Sequence, residues 1–262
     1  MKSRRISLES YEPLSRKRKK KYVIKWRRFV IFLLLLALAG EVIATLLASP
    51  YFVIKEVRVT GNKTVSASSV ISRLGVPKDT NIFRINKRVM VERLKKDPVI
   101  KDARIFRRFP NGIHVHVIER EADAVLDASG KFYLLDADGI PFRVVKKLDP
   151  KFTVISTTKV KKVSLGKCIT VPEFKAEKEC LKWARRRKLP RPTVIYIDQN
   201  DGLCLNTQDG FRVILGGTDK IPEKLGEAMR VIQEIPGFKE TGDYVNVSCL
   251  GNPAYKLKGY NN

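Results

Sequence analysis

His114 and His116 are the only two imidazoles in the chain, and they stand two residues apart in Ile113-His114-Val115-His116-Val117. In an extended strand, residues i and i+2 project from one face. Two imidazoles there supply half of a tetrahedral zinc site, and no third ligand is visible nearby. An exposed strand face accounts for the pair, with Ile113, Val115 and Val117 turned toward a core. Nucleophilic triads need a His, so these two are the only candidates for that chemistry as well. No G-x-S-x-G, G-x-x-x-x-G-K-[ST] or H-E-x-x-H pattern occurs. Gly216-Gly217-Thr218 is Gly-rich but lacks the lysine and the helix opening of a phosphate loop, and it reads as a turn. Asp136 and Asp138 flank a hairpin glycine, Gly139, so turn chemistry explains them better than acid-base work. No catalytic residue, metal or cofactor is expected.

Four cysteines remain: Cys168, Cys180, Cys204 and Cys249. They allow three pairings. Cys168 and Cys180, twelve residues apart, would be the easiest to close, and buried free thiols are the alternative.

The elements that carry these residues begin with a membrane segment. Phe29 to Ala48 is a run of 20 residues with one charge, Glu41. As a helix it would span roughly 30 Å, the thickness of a bilayer core. Residues 1–28 hold twelve basic residues and two acidic ones, with the densest run at Arg16 to Lys21. Positive charge favours the cytoplasmic side, which places the N-terminus inside and the remaining chain outside. Ala37-Leu38-Ala39 has the form of a signal-peptidase site. The basic region is long and the apolar run continues past that site, so a retained single-pass anchor is expected. Glu41 is costly at such depth unless it meets a polar group of another helix or reaches the outer surface.

The formal charge of +25 divides accordingly, with +10 in residues 1–28, −1 from Glu41 in the apolar run and +16 in residues 49–262. The basic tail would sit against anionic lipid. Topology signalling explains its charges more simply than nucleic acid does, so no nucleic-acid partner is expected. Gly and Pro together are 29 of 262 residues, which excludes collagen-like and wholly disordered chains.

Beyond the membrane segment, Phe52 to Thr60 alternates as a strand with a phase break near Lys55-Glu56. Ser66 is a candidate N-cap for a helix carrying Val70, Ile71 and Leu74 and closed by Gly75. Asn86 can cap a second helix bearing Val89, Met90 and Leu94, stopped by Asp97-Pro98. Val99–Phe106 and Ile113–Ile118 read as strands around the turn Pro110-Asn111-Gly112. The order is β-α-α-β-β. Downstream, strands are expected at 132–135, 154–156, 194–197, 202–207, 211–215 and 244–250. Helices are expected at 173–188 and 221–235, the latter with Leu225, Met229, Ile232 and Ile235 inward. That mixture is α+β.

The motifs Val59-Thr60-Gly61-Asn62, Asp97-Pro98-Val99-Ile100, Ala103, Arg107, Phe109-Pro110 and Glu119-Arg120 resemble a POTRA domain of the FtsQ/DivIB cell-division family. Leu134-Leu135-Asp136-Ala137-Asp138-Gly139-Ile140-Pro141-Phe142 resembles the family's L-D-x-x-G-x-x-F. Gly210–Gly216, Lys224-Leu225 and Tyr244-Val245-Asn246-Val247 resemble later family segments. The resemblance covers about residues 23–250.

It implies a basic cytoplasmic tail (1–28), a transmembrane helix (29–48), a POTRA domain (49–120), an antiparallel sheet domain with helices (121–250) and a C-terminal tail (251–262). It implies a non-catalytic scaffold in the bacterial cytoplasmic membrane at the division septum, linking divisome proteins and regulating septal wall synthesis. Small coiled-coil partners of the FtsB and FtsL type would dock on the outer sheet domain, and other divisome proteins on the POTRA domain and membrane helix. The docking edge would be the final strand: Tyr244, Val245, Asn246, Val247, Ser248, Cys249 and Leu250. Asn246 replaces the usual Asp there, and Ser248-Cys249 replaces the usual Arg-Tyr, so side-chain specificity must differ. A POTRA-bearing envelope chaperone or secretion component is the alternative, although about 140 residues after the POTRA domain cannot supply the many strands of a membrane barrel.

Overall fold

The computed structural model describes residues 26–160 and 162–259. The expected basic tail lies almost wholly outside the described residues. Helix α1, Trp26–Ala48, contains the apolar run and is long and apolar enough to cross a bilayer. None of its residues is buried, as suits a helix whose partner is lipid. Within α1, Thr45 Oγ1 donates to the Glu41 carbonyl at 2.9 Å, so the added hydroxyl is satisfied locally.

The part beginning at Tyr51 is a separate compact unit. Its first portion comprises β1 (Glu56–Thr60), α2 (Ala67–Leu74), α3 (Lys87–Leu94), β2 (Ile100–Arg108) and β3 (Gly112–Glu119). The strands lie in the order β1-β3-β2, with β1 parallel and β2 antiparallel to β3. Sequence determines this part closely because each helix carries its own start and stop. Ser66 Oγ accepts from the Ser69 N–H, and Asn86 Oδ1 accepts from the N–H groups of Arg88 and Val89. Gly75 closes α2 in the left-handed conformation, φ 58°. Val70, Leu74, Met90 and Leu94 pack on Ile105, Ile113, Val115 and Val117. The strand expected from Phe52 starts only at Glu56. Pro50–Phe52 is a 3₁₀ turn and Val53 makes a single bridge to Asn81, which is the phase break seen in the sequence.

The second portion adds β4 (Ala124–Ala128), β5 (Lys131–Leu135), β6 (Pro141–Val145), β7 (Thr153–Ser156), α4 (Pro172–Arg186), β8 (Pro192–Asp198), β9 (Gly202–Thr207), β10 (Arg212–Gly216), α5 (Ile221–Glu234), α6 (Phe238–Thr241), β11 (Gly242–Asn246) and β12 (Ala254–Leu257). Among the described residues they form one nine-stranded sheet, ordered β12-β11-β10-β9-β8-β7-β4-β5-β6. The overall α+β class holds, but this sheet is mixed rather than antiparallel. β7 and β8 run parallel, as do β10 and β11, and β4 and β7. A parallel pair needs a long return connection. α4 supplies it between β7 and β8, and α5 between β10 and β11.

The helices bury one face of the sheet. Phe174, Cys180, Leu181 and Ala184 of α4 and Ile221, Leu225, Ala228 and Ile232 of α5 meet Ile195, Leu203, Leu205, Val213 and Val245. Two expected core residues of α5, Met229 and Ile235, sit only at its margin. Lys224 is instead drawn in, at 3% exposure, because its ammonium has two acceptors. It donates to the Gly217 carbonyl at 3.1 Å and pairs with Asp219 at 3.3 Å. The Gly216-Gly217-Thr218 loop thus receives a lysine, but on its carbonyls, which is the reverse of a phosphate cradle.

All four cysteines are free. Cys180 faces the core of α4 and Cys168 is exposed, so the pair nearest in sequence is not a bridge. Burial pushes the Cys180 thiol strongly up and the Cys204 thiol up to about 11, which keeps both unreactive.

Candidate partner-binding site

Two adjacent residues at the end of β3 point in opposite directions along the chain. The Glu119 carboxylate accepts from the N–H groups of Lys63, Thr64 and Val65 at 2.8–3.0 Å and from the Thr64 hydroxyl. It clamps the β1–α2 loop. Burial alone would raise this carboxyl, but the Thr64 hydroxyl and the three N–H groups outweigh it and hold it below the usual range.

Arg120 instead reaches forward. Its Nη1 pairs with Asp136 Oδ2, and its Nε donates to the Pro98 carbonyl at 3.2 Å. Asp136 is 5% exposed. Its other oxygen accepts from the N–H groups of Asp138 at 3.0 Å and Ile140 at 2.9 Å, forming the hairpin turn between β5 and β6. Lys101 binds Asp138 at 2.8 Å and holds that carboxyl below its ordinary value. Turn chemistry for Asp136 and Asp138 is therefore correct but incomplete. The same turn receives cations from β2 and β3 and fixes the first domain to the second.

His114 and His116 share one face of β3, as their spacing requires. Both approach the Thr60 hydroxyl of β1, at 2.8 and 3.2 Å. Ile113, Val115 and Val117 lie in the core on the other face.

The far end of the large sheet is the corner of β10, β11 and β12. The strand expected over 244–250 is shorter. It runs from Gly242 to Asn246, paired in parallel with β10 through Arg212–Tyr244 and Val213–Val245. The Val247 N–H still donates to the Ile214 carbonyl at 2.8 Å. Asn246 Oδ1 then accepts from the Ser248 N–H at 2.9 Å, an Asx turn that ends the strand. Gly251 N–H binds Glu227 Oε1 of α5 at 2.9 Å, and the chain returns as β12.

β12 pairs antiparallel with β11 through Tyr244–Lys256, Val245–Tyr255 and Asn246–Ala254. This corrects the sequence reading in two respects. The Tyr244 strand is an inner strand with neighbours on both sides, and residues 254–257, expected as tail, form the outer strand of the sheet. Val245 and Val247 are fully buried core residues, while Ser248, Cys249 and Leu250 are exposed on the connecting turn. The signal for β12 was present in Asn252-Pro253, a turn dipeptide, followed by Ala254-Tyr255-Lys256-Leu257. Its four-residue length hid it.

One buried group went unnoticed in the sequence. Glu177, in the core-facing row of α4, is 0% exposed, and neither carboxylate oxygen has a hydrogen-bond partner. Burial and then the Glu173 carboxylate one turn earlier push it up to about 8. Its spacing of three residues from both Phe174 and Cys180 is the signal that could have found it, against the evidence of its charged type.

Comparison with known proteins bears on the first folded portion and on the chain as a whole. Residues 52–120 match the FtsQ-type POTRA domain family. The chain is 29% identical to the cell division protein DivIB of Clostridium acetobutylicum over 215 residues, covering 80% of this chain and 84% of that protein. It is 24% identical to DivIB of Clostridium botulinum strain Hall, covering 97% and 98% of the two chains. It is 26% identical to the cell division protein FtsQ of Syntrophotalea carbinolica, covering 93% and 91%. With an apolar N-terminal helix, an FtsQ-type POTRA match over residues 52–120 and similarity along most of its length, the chain is similar to the DivIB and FtsQ cell division proteins.

Proposed function

We propose that the chain is a non-catalytic scaffold of the division septum. It recruits division proteins through its sheet domain and thereby regulates septal wall synthesis. The tail 1–28 lies in the cytoplasm against anionic lipid, 29–48 spans the membrane, and the POTRA domain (49–120) and the sheet domain (from 121) lie outside. Further divisome proteins contact the POTRA domain and the membrane helix.

The observation that carries this reading is the outer edge of β12, which has no neighbouring strand among the described residues. An edge strand offers backbone N–H and C=O groups to which a partner strand can add. Partners of the FtsB and FtsL type dock here. The short β12, backed by Tyr244, Val245 and Asn246, is the docking edge, and Val247, Ser248, Cys249 and Leu250 shape the adjoining turn. Lys256 and Lys258 favour an acidic partner strand over a basic one.

A photo-crosslinking scan tests the proposal. A photo-reactive residue at each position from 244 to 257 is expected to trap a small coiled-coil membrane protein at alternate positions of 254–257. Silence throughout 254–257, with crosslinks to exported substrates from β1, would overturn the scaffold reading.

A further inference from the structure

Glu177 lines a cleft of about 460 Å³. Its walls come from three elements: Glu173 and Glu177 of α4, Ser156 to Lys159 at and beyond the end of β7, and Val194, Tyr196, Ile197, Asp198 and Gln199 of the β8 end. A carboxylate with no partner, buried to 0% exposure, is costly in an apolar setting. The cost is unforced here, because residues 49–262 contain 40 basic side chains against 24 acidic ones. An internal cation would have been easy to supply.

The rest of the lining suits a small organic cation, with one exception: Lys159, an exposed cation, lines the same cleft. Ser156, Thr157 and Gln199 offer hydrogen-bond acceptors, and Glu173 and Asp198 add negative charge. Val194 and Ile197 supply apolar wall for an aliphatic stem. Among the described residues no three His, Cys, Asp or Glu side chains converge closely enough to hold a metal ion. One buried acid on a partly apolar cleft suits a compact ammonium on a slender chain better than a planar, two-pronged guanidinium.

We propose that this cleft is a binding site for an alkylammonium group of the lysine side-chain type, with Glu177 as its counter-ion. The site is separate from the β12 edge and does not depend on strand docking there. The charged and titratable groups around Glu177 are Glu173, Glu179 and Cys180 of its own helix, Lys159 after β7, and Tyr196 and Asp198 of β8. Asp198 is held below its ordinary range by the N–H groups of Asn200 and Asp201 and stays ionised near neutral pH. Glu177 is the group that must lose its proton when the ammonium enters.

The test is titration of the full chain, reconstituted in zwitterionic nanodiscs, with N-α-acetyl-lysine amide and with the peptide acetyl-Gly-Gly-Lys-Gly-Gly-amide, followed by calorimetry and NMR. The net positive charge of the outer domains repels both probes, so binding reports a specific site. Binding is expected to tighten about fivefold from pH 7 to pH 8, following ionisation of a group near pH 8. It is expected to vanish when the lysine amine is acetylated and to be lost at least tenfold in Glu177→Gln. Thr158→Trp, at an exposed position beside the cleft, should block binding without altering the buried acid and serves if Glu177→Gln does not fold. Equal binding of both probes would identify a free amine-bearing ligand, and binding of the peptide alone would identify a protein lysine. No binding of either probe, or binding unchanged in Glu177→Gln and Thr158→Trp, would overturn the site.

Discussion

The Arg120 guanidinium and the Asp136 carboxylate form a buried ion pair, with side chains 11% and 3% exposed, that bridges the end of β3 and the turn after β5. Each partner is committed elsewhere too: Arg120 to the Pro98 carbonyl and Asp136 to two turn N–H groups. The POTRA domain and the sheet domain therefore meet through a satisfied polar junction. Breaking one side of such a pair leaves an uncompensated buried charge, which costs about 3–5 kcal/mol. Arg120→Met is expected to destabilise the chain by about 3 kcal/mol, measured by urea unfolding. The double variant Arg120→Met with Asp136→Asn should lose distinctly less than the two single losses added together.

Glu119 gives the clamped β1–α2 loop a pH dependence of ordinary sign. Its carboxyl is depressed below the unfolded value, so its contribution is present above about pH 4.5 and is lost as pH falls through the lower folded value. Glu119→Gln should cost about 1 kcal/mol at pH 7 and progressively less as falling pH protonates the carboxyl. Amide hydrogen exchange at Lys63, Thr64 and Val65 should accelerate in the variant at pH 7.

Glu177 acts in the opposite sense. Its folded value is raised from 4.5 to about 8, so the native state holds a proton that the unfolded state releases. Stability should fall as pH rises between about 4.5 and 8, by up to about 1.4 kcal/mol per pH unit, and level off above 8. In Glu177→Leu that slope should be absent, and the variant should be more stable than the parent at pH 8 by about 1–3 kcal/mol. Thermal melting across pH 5–9 distinguishes the two chains.

Gly216 supports the β10–β11–β12 corner. Its φ is +70°, and a Cβ there would stand 2.7 Å from the Ser248 Cβ. Gly216→Ala combines left-handed strain with a contact that must shift, and should cost about 1–3 kcal/mol. Exchange at the Val247 amide, which binds the Ile214 carbonyl, should rise first, and crosslinking from residues 254–257 should fall with it.

The local features were legible in the residues themselves. The caps at Ser66 and Asn86, the Gly75 stop, the alternation of Ile113, Val115 and Val117 and the apolar run of α1 each depend on contacts within a few positions. Asp136 as a turn former belongs to the same class, because its N–H partners at Asp138 and Ile140 are near in sequence. What the residues by themselves determined was this short-range chemistry, together with the α+β class and the family motifs that follow its order.

Tertiary structure alone decided where the sheet ends. The Tyr244 segment reads as a terminal strand, but it becomes an inner one because Asn246 stops it and four residues after a turn find unpaired backbone beside it. Strand pairing is set by hydrogen bonds between distant segments, and β12 is too short for periodicity to mark it. The same holds for the parallel neighbours β7 and β8, joined only through α4, and for Arg120, whose partner lies in the next domain. Glu177 shows the limit most directly. Spacing could place it on the inner face of α4, but the absence of any partner for its carboxylate depends on every side chain that three separate elements bring around it.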